Sequence, residues 1–382
     1  MVAWTEGGAP RSARWRSEAG WPAPARVEVA DDQLPADAAY RLVCEGTALL
    51  WRGDFHNARQ LLQALARRID RKPRKPVPAP ASITEAFHKH RQAQGRRARL
   101  LGMLLVEVAG DHGIALRRAP DLHAACAEAW GPADGQPQLV ALRELQGLVG
   151  AHEWRKAGVE IPALGPAPGN RIHPHYGVFS PVRGEYLDLL ARAPLPADRA
   201  LAFDVGTGTG VVAALLARRG IARVVATDLN PRALACARDN LGRLGVQDRV
   251  ELLEADLFPP GRAALVVCNP PWVPARPGSA LELAVYDEGS RMLRGFLSGL
   301  AAHLAPGGEG WLVLSDLAEH LGLRPREELL GWIAAAGLAV KDRLDIRPRH
   351  PKASDPSDPL AAARGREVTS LWRLVPAGHT PA

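Results

Sequence analysis

The chain has 382 residues, which is long for a single domain, and we expect about two units that each bury a core. A net charge of +7 favours an acidic partner such as RNA. The four cysteines are scattered without a Cys-x-x-Cys pair, and no apolar run reaches the roughly 18 residues that span a bilayer. These features argue against a zinc site, a disulfide framework and a membrane segment, and they predict a cytoplasmic protein.

The first thirty or so residues of the chain carry no assignable chemistry. Residues 1–35 are rich in Gly, Pro, Arg and Trp without periodicity, which predicts a poorly ordered segment. Within residues 36–160, apolar spacing predicts a strand at 48–51, an amphipathic helix from Asn57, and helices through 84–150. We therefore expect a smaller, mixed or mainly helical domain here, which would recruit the substrate.

Beyond a Pro- and Gly-rich connector at 161–170, short apolar runs alternate with helical segments up to residue 376. This alternation is typical of an α/β domain in which helices cover a parallel sheet. The strands are predicted at 200–205, 222–227, 249–253, 264–268, 310–315, 338–346 and 367–375, and the helices at 184–193, 210–219, 231–244, 288–304 and 324–336. The final connection lacks a long helix, so we expect the last strand to lie antiparallel to its neighbours.

A glycine-rich loop, "FDVGTGTG" at 203–210, follows the first strand of this series. Asp204 precedes Gly206, Gly208 and Gly210, and a helix comes next. Glycines at such a turn let the backbone pass close beneath a ligand before it enters the helix. The spacing is Gly-x-Gly-x-Gly and differs from the Gly-x-Gly-x-x-Gly of a dinucleotide site, so nothing in it requires a pyrophosphate.

Two further carboxylates stand where the next two strands end. Asp228 in "ATDLN" could accept both hydroxyls of a ribose, and Asp256 in "EADLF" could accept from the exocyclic amine of an adenine. Either aspartate alone is explained equally well by a turn or a helix cap. Their order at successive strand ends favours a ligand that contains a nucleoside.

The fourth strand ends in "VVCNPPWV" at 266–273. Pro270 and Pro271 cannot continue a central strand, so the chain must leave the sheet there. An asparagine amide and an indole ring are then held at the edge of the sheet where ligands bind in open α/β folds.

With "DVGTGTG", "TDLNPRALACARDN", "EADLF" and "NPPW", residues 170–376 resemble the class I S-adenosylmethionine-dependent methyltransferases, and within them the small methyltransferase-domain family. The resemblance implies a seven-stranded Rossmann-like α/β sheet and S-adenosyl-L-methionine as the cofactor. The cofactor-binding residues that it implies are Asp204, Gly206, Thr207, Gly208, Gly210, Asp228, Leu229, Asp256, Leu257 and Asn269.

The (Asn/Asp)-Pro-Pro-aromatic motif of that superfamily marks enzymes that methylate nitrogen in a planar group, and the catalytic residues that it implies here are Asn269, Pro270, Pro271 and Trp272. A planar nitrogen delocalises its lone pair and must be held and polarised. The Asn269 side-chain oxygen and the Pro270 carbonyl could accept its two N–H groups, while Trp272 stacks on it. Related families usually have Phe or Tyr in place of this tryptophan.

Three functions stay open. "GVFS" at 177–180 resembles a segment of ribosomal-RNA guanine-N2 methyltransferases, and with the positive charge it makes a base in ribosomal RNA our first prediction. Residues 286–315 resemble release-factor glutamine methyltransferases, and the alternative is N5-methylation of a glutamine amide in a translation protein. A cofactor-binding RNA or protein scaffold without catalysis is the third, and the intact "NPPW" argues against it.

We predict that no metal takes part. His173 and His175 in "RIHPHYG" are two residues apart, and the sequence offers no evident third ligand. We also expect no membrane partner.

Overall fold

The computed structural model describes residues 1–71, 79–182, 184–278, 281–348 and 358–378. The chain divides into an N-terminal unit, Met1–Ala81 with His88–Glu153, and a C-terminal unit, Ser82–Phe87 with Trp154–Ala382. Across the described ranges, no helix combines the length and the apolar character that a membrane crossing requires.

The N-terminal unit is built on a mixed six-stranded sheet in the order β1-β2-β6-β5-β4-β3. Its strands are β1 Val2–Glu6, β2 Ala9–Arg16, β3 Arg26–Ala30, β4 Thr47–Trp51, β5 Leu104–Val108 and β6 Gln138–Ala141. The helices of this part of the chain are α1 Ala36–Cys44, α2 Phe55–Ile69, α3 Ile83–Leu101, α4 His123–Trp130 and α5 Leu142–Ala157. β1 and β2 form an antiparallel hairpin, and β3, β4 and β5 run parallel.

Two predictions for this part of the chain are wrong. Residues 1–35 are not poorly ordered, because Val2, Trp4 and Ala13 of the first hairpin are buried in a core shared with β4 and β5. Residues 84–150 are not helical throughout, because β5 and β6 lie within them. A short apolar run buried on both faces has no periodicity that separates a strand from a helix, so the sequence pattern favoured the wrong element.

The C-terminal unit contains a seven-stranded sheet in the order β11-β10-β9-β12-β13-β15-β14 and a small pair, β7-β8. Its strands are β7 Val159–Glu160, β8 Arg171–Ile172, β9 Leu201–Val205, β10 Arg223–Asp228, β11 Val250–Glu254, β12 Ala263–Cys268, β13 Leu304–Ser315, β14 Leu338–Ile346 and β15 Thr369–Pro376. Its helices are α6 Glu185–Arg192, α7 Val211–Arg218, α8 Pro231–Arg243, α9 Arg291–His303, α10 Leu317–His320, α11 Arg326–Ala335 and α12 Ala361–Arg364.

The seven predicted strands of this sheet are all present, and the predicted α/β class is confirmed. β9 to β13 pair in parallel, while β15 lies antiparallel to β13 and to β14. The expectation of an antiparallel last strand is therefore also confirmed.

The sheet is buried on both faces, which explains the continuous apolar runs of its central strands. Leu265 and Val267 of β12 pack in the core on the side of α6, α7 and α8. Val266 and Cys268 face the opposite core, which contains residues of α9 and α11. Alternate residues of one strand therefore serve two cores, as the period of two requires.

The C-terminal unit begins earlier than the predicted 170–376 domain. Ser82–Phe87 belongs to it, and the Phe87 ring is buried in a cluster with Val273, Leu321, Leu360 and Ala363. Ile161 and Leu164 are also buried in its core. The predicted boundary rested on composition, which carries no information about contacts between distant parts of the chain.

Candidate active site

The parallel pairing of β9 with β10 and β12 places three functional segments at one edge of the sheet. Val205 and Cys268, the last residues of β9 and β12, lie in register with Thr227, the next-to-last residue of β10. The residues that follow them, Gly206, Asp228 and Asn269, therefore reach the same carboxyl edge, where open α/β sheets bind ligands. The structure thus brings together the three motifs that the sequence placed at successive strand ends.

The glycine loop is held against the end of β10. The N–H groups of Gly206 and Thr207 donate to the Thr227 carbonyl at 2.9 and 2.8 Å. Gly206, Gly208 and Gly210 have φ of +75°, +55° and +80°, in the left-handed region that favours glycine. The predicted reason for these glycines, a sharp backbone turn into a helix, agrees with this geometry.

Gly208 and Gly210 differ in what surrounds them. A Cβ atom added at Gly210 would lie 3.1 Å from the Cα atom of Ala237 in α8, so this glycine allows two elements to pack closely. A Cβ atom added at Gly208 would meet none of the described residues within 4 Å. The backbone at Gly208 therefore borders open space that a ligand could enter.

Asp204 forms hydrogen bonds that stabilise the glycine loop from within. Its carboxylate is buried, and Oδ2 accepts from the Thr207 hydroxyl at 2.6 Å and from the Ala213 N–H at 3.0 Å. These bonds tie the loop to the first turn of α7. Burial raises the pKa of Asp204 from 3.8 to about 7. A contact of this side chain with the cofactor stays a prediction.

Asp228 receives one backbone N–H on each oxygen. Gly208 donates to Oδ2 at 3.0 Å and Asn230 donates to Oδ1 at 2.9 Å. Each carboxylate oxygen has two lone-pair sites, so acceptor capacity remains on both for ligand hydroxyls. Burial raises the pKa of this carboxyl. Leu229, next in the chain, exposes 56% of its surface at the same edge.

The segment after β11 presents Asp256 to solvent. Its carboxylate lies 3.8 Å from Arg291 Nη2. Leu257 has φ of +75°, and its carbonyl accepts a hydrogen bond from the Thr227 hydroxyl. Thr227 therefore links the end of β10 to the glycine loop through its carbonyl and to this segment through its side chain.

The Asn-Pro-Pro-Trp segment is fixed by a hydrogen bond that the sequence did not reveal. Trp272 Nε1 donates to Asn269 Oδ1 at 2.9 Å. The Trp272 ring packs against the cores on both faces of the sheet and against the Phe87 cluster. Pro270 is buried and Pro271 is partly buried.

Two further residues near the site were missed from the sequence. Tyr186 of α6 is buried, and this burial raises the pKa of its phenol. Asn240 of α8 is fully buried; it accepts from the His173 N–H at 2.7 Å and donates to the Thr209 carbonyl at 3.1 Å. An asparagine on the apolar face of an amphipathic helix was the signal that could have identified it.

The histidines of "RIHPHYG" serve the fold around α8. His173 Nδ1 lies 2.7 Å from the Arg155 carbonyl oxygen, and His175 Nε2 lies 2.8 Å from Asp239 Oδ2. Among the described residues there is no group of three His, Cys, Asp or Glu side chains that could hold a metal ion. The absence of a metal from the reaction stays a prediction.

This strand order, with a glycine loop after β9, an acid at the end of β10 and Asn-Pro-Pro-Trp after β12, defines a class I S-adenosylmethionine-dependent methyltransferase. The family model "Methyltransferase small domain" matches residues 169–326. The release factor glutamine methyltransferase of Deinococcus radiodurans is 32% identical over 240 residues, which cover 58% of this chain and 77% of that protein. The chain therefore belongs to the methyltransferase small-domain family, and its predicted class and cofactor are confirmed.

Other relatives match a shorter part. The release factor glutamine methyltransferase of Cereibacter sphaeroides is 37% identical over 177 residues, which cover 42% of this chain and 61% of that protein. The ribosomal protein uL3 glutamine methyltransferase of Bordetella pertussis is 34% identical over 167 residues, covering 38% of this chain and 54% of that protein. These two matches span less than two thirds of the relatives' own lengths.

The residues at this edge fit S-adenosylmethionine. The space beside Gly208 lets a ligand approach the backbone. The Asp228 carboxylate keeps acceptor capacity toward hydroxyl groups, and Asp256 is accessible to a polar group.

The two glycines give a matched pair of tests. Gly208→Ala should cost about 1 kcal/mol of unfolding free energy through its left-handed φ, and its methyl group should weaken S-adenosylmethionine binding ~10-fold or more. Gly210→Ala has the same φ cost together with the close contact to Ala237, so it should lose more stability. Denaturation and calorimetric titration measure both effects. Unchanged affinity in Gly208→Ala would contradict the assignment of the open space to the cofactor.

The raised pKa of Asp204 predicts a pH dependence of stability. Between the ordinary pKa of 3.8 and about 7, the folded protein holds a proton that the unfolded chain has released. Its free energy of unfolding should therefore fall as pH rises through that range.

Asp204→Asn keeps an oxygen that can accept both bonds and has no such proton. Between about pH 4 and pH 7 the wild type should lose unfolding free energy and the variant should not. The unfolding free energy of the variant minus that of the wild type should therefore increase up to about pH 7 and stay constant above it. Denaturant titrations of both proteins across the range check this; a constant difference would contradict the buried, protonated carboxyl.

Proposed function

We propose that this protein transfers a methyl group from S-adenosylmethionine to the side-chain amide nitrogen of a glutamine in a protein of translation. The observation that carries the proposal is the position of Asn269 and Pro270, which follow β12 at the same edge as the glycine loop. This shared edge supports a site in which two oxygen acceptors hold a planar N–H group beside the proposed cofactor residues.

An amide nitrogen is a weak nucleophile because its lone pair is delocalised into the carbonyl. S-adenosylmethionine, when bound, would supply a methyl group that is already activated by its sulfonium. The N–CH₃ bond forms as the sulfur–methyl bond breaks, S-adenosylhomocysteine leaves, and the amide nitrogen loses one proton to solvent. The remaining barrier is orientation, and the protein lowers it by fixing the acceptor. Asn269 Oδ1 and the Pro270 carbonyl accept the two amide N–H groups, and Trp272 offers an aromatic plane for the flat group. Pro270 and Pro271 keep the backbone acceptors rigid.

The cofactor roles follow the three strand ends. The loop from Gly206 to Gly210 receives the amino-acid end, Asp228 accepts the ribose hydroxyls, and Asp256 accepts from the adenine amine. The acceptor capacity of Asp228 and the exposure of Asp256 support these roles. Thr207, Leu229 and Leu257 are carried by the same three segments and complete the proposed site.

The glutamine acceptor is better supported than the RNA base that we predicted first. The relative that is matched over 77% of its length is named a release factor glutamine methyltransferase, and the Bordetella pertussis relative is also named for glutamine. The case for RNA rests on net charge and on "GVFS", where Val178 packs against Ala233 and Cys236 of α8. Substrate recruitment by the N-terminal unit and a cytoplasmic location stay predictions.

Transfer of labelled methyl groups separates the three functions. Total protein and total RNA from cells that lack this gene are incubated with the enzyme and methyl-labelled S-adenosylmethionine. We expect label in protein, and acid hydrolysis should release it as methylamine, since a methylated glutamine amide yields that product. Label confined to RNA would restore the RNA prediction, and no label in either pool would favour a scaffold.

The Asn269→Ala variant tests the proposed mechanism. Removal of one acceptor should lower turnover at saturating S-adenosylmethionine roughly 100-fold. The affinity for S-adenosylmethionine should change much less, because the glycine loop, Asp228 and Asp256 supply most of the proposed cofactor contacts. Full activity of this variant would contradict the proposed role of Asn269.

A further inference from the structure

Trp272 stands where the families that this chain resembles usually have Phe or Tyr. Its Nε1 atom is 2.9 Å from Asn269 Oδ1. An indole N–H can only donate a hydrogen bond, so the Asn269 atom that faces it must be the oxygen of the carboxamide. The indole therefore determines which way the amide is turned, which a phenylalanine ring could not do.

The indole itself is held firmly. Its ring packs against the cores on both faces of the sheet and against the cluster that contains Phe87 and Val273. The ring is partly buried, and its contacts with these clusters restrict the direction of the N–H, which in turn restricts the acceptor.

We propose that Trp272 is a positioning residue, whose indole N–H keeps Asn269 Oδ1, and not the amide NH₂, turned toward the nitrogen to be methylated. This rests on the proposed function, in which that nitrogen brings two N–H donors and needs acceptors. Oδ1 has two lone-pair sites, so it can accept from the indole and from the substrate together. With the amide reversed, its NH₂ group would oppose both the indole N–H and the substrate N–H.

Trp272→Phe removes the N–H and keeps an aromatic ring. Its matched control is Trp311→Phe, because Trp311 is fully buried in the core of the same unit and its Nε1 has no hydrogen-bond partner among the described residues. We expect Trp272→Phe to lower turnover at saturating S-adenosylmethionine about 10-fold, with cofactor affinity unchanged. Trp311→Phe should lose stability and keep the turnover of the wild type.

An indole proton–nitrogen spectrum of ¹⁵N-labelled protein tests the hydrogen bond without any substrate. The cross-peak that is missing in Trp272→Phe belongs to Trp272, and in Asn269→Ala it should shift and its proton should exchange faster with solvent. An unchanged peak in Asn269→Ala would overturn the proposal. So would full turnover in Trp272→Phe, or equal losses of turnover in the two tryptophan variants.

The methyl label is counted in whichever pool carries it, protein or RNA. Label in RNA would contradict the glutamine acceptor, while a selective loss in Trp272→Phe on that product would still support the positioning role. The two proposals therefore fail separately.

Discussion

The parallel pairing of β9 with β10 on one side and β12 on the other is the constraint on which the site depends. It aligns Val205, Thr227 and Cys268, so the residues after them emerge together although they are far apart in the sequence. Neither the glycine loop nor the Asn-Pro-Pro-Trp segment could contribute to a common site without this register. A shift by one residue would turn each strand's alternating side chains to the opposite core, and the two buried cores therefore hold the register in place.

The same edge shows how polar groups are prepared for a ligand. The Asp204 carboxyl stabilises the loop from within, Asp228 is oriented by two backbone N–H groups, and Asn269 by the Trp272 indole. Each functional group thus has a neighbour that fixes its direction before a ligand arrives. Because methyl transfer from an activated donor is limited mainly by orientation, such fixed groups are where this protein can gain most of its rate.

Much of the C-terminal unit could be predicted from the sequence, since its strands and helices have distinct periods and its motifs stand at strand ends. The N-terminal sheet could not, because β5 and β6 are short apolar runs that pattern alone does not separate from helices. The burial of Phe87 beside Val273 and the bond between Trp272 and Asn269 depend on side-chain placement. No local pattern encodes such contacts, so the sequence suggested an aromatic plane at Trp272 and missed its donor.

The position of the transferred methyl group decides whether Asn269 and Pro270 hold a planar nitrogen. Tandem mass spectrometry of peptides from cells with and without this gene, compared residue by residue, locates every methyl group that depends on it. We expect one that lies on the side-chain nitrogen of a glutamine in a translation protein and that disappears in cells carrying the Asn269→Ala enzyme. A methyl group on a carboxylate, an aliphatic amine or a carbon atom would contradict the proposed function, because Asn269 and Pro270 would then have no planar N–H group to hold.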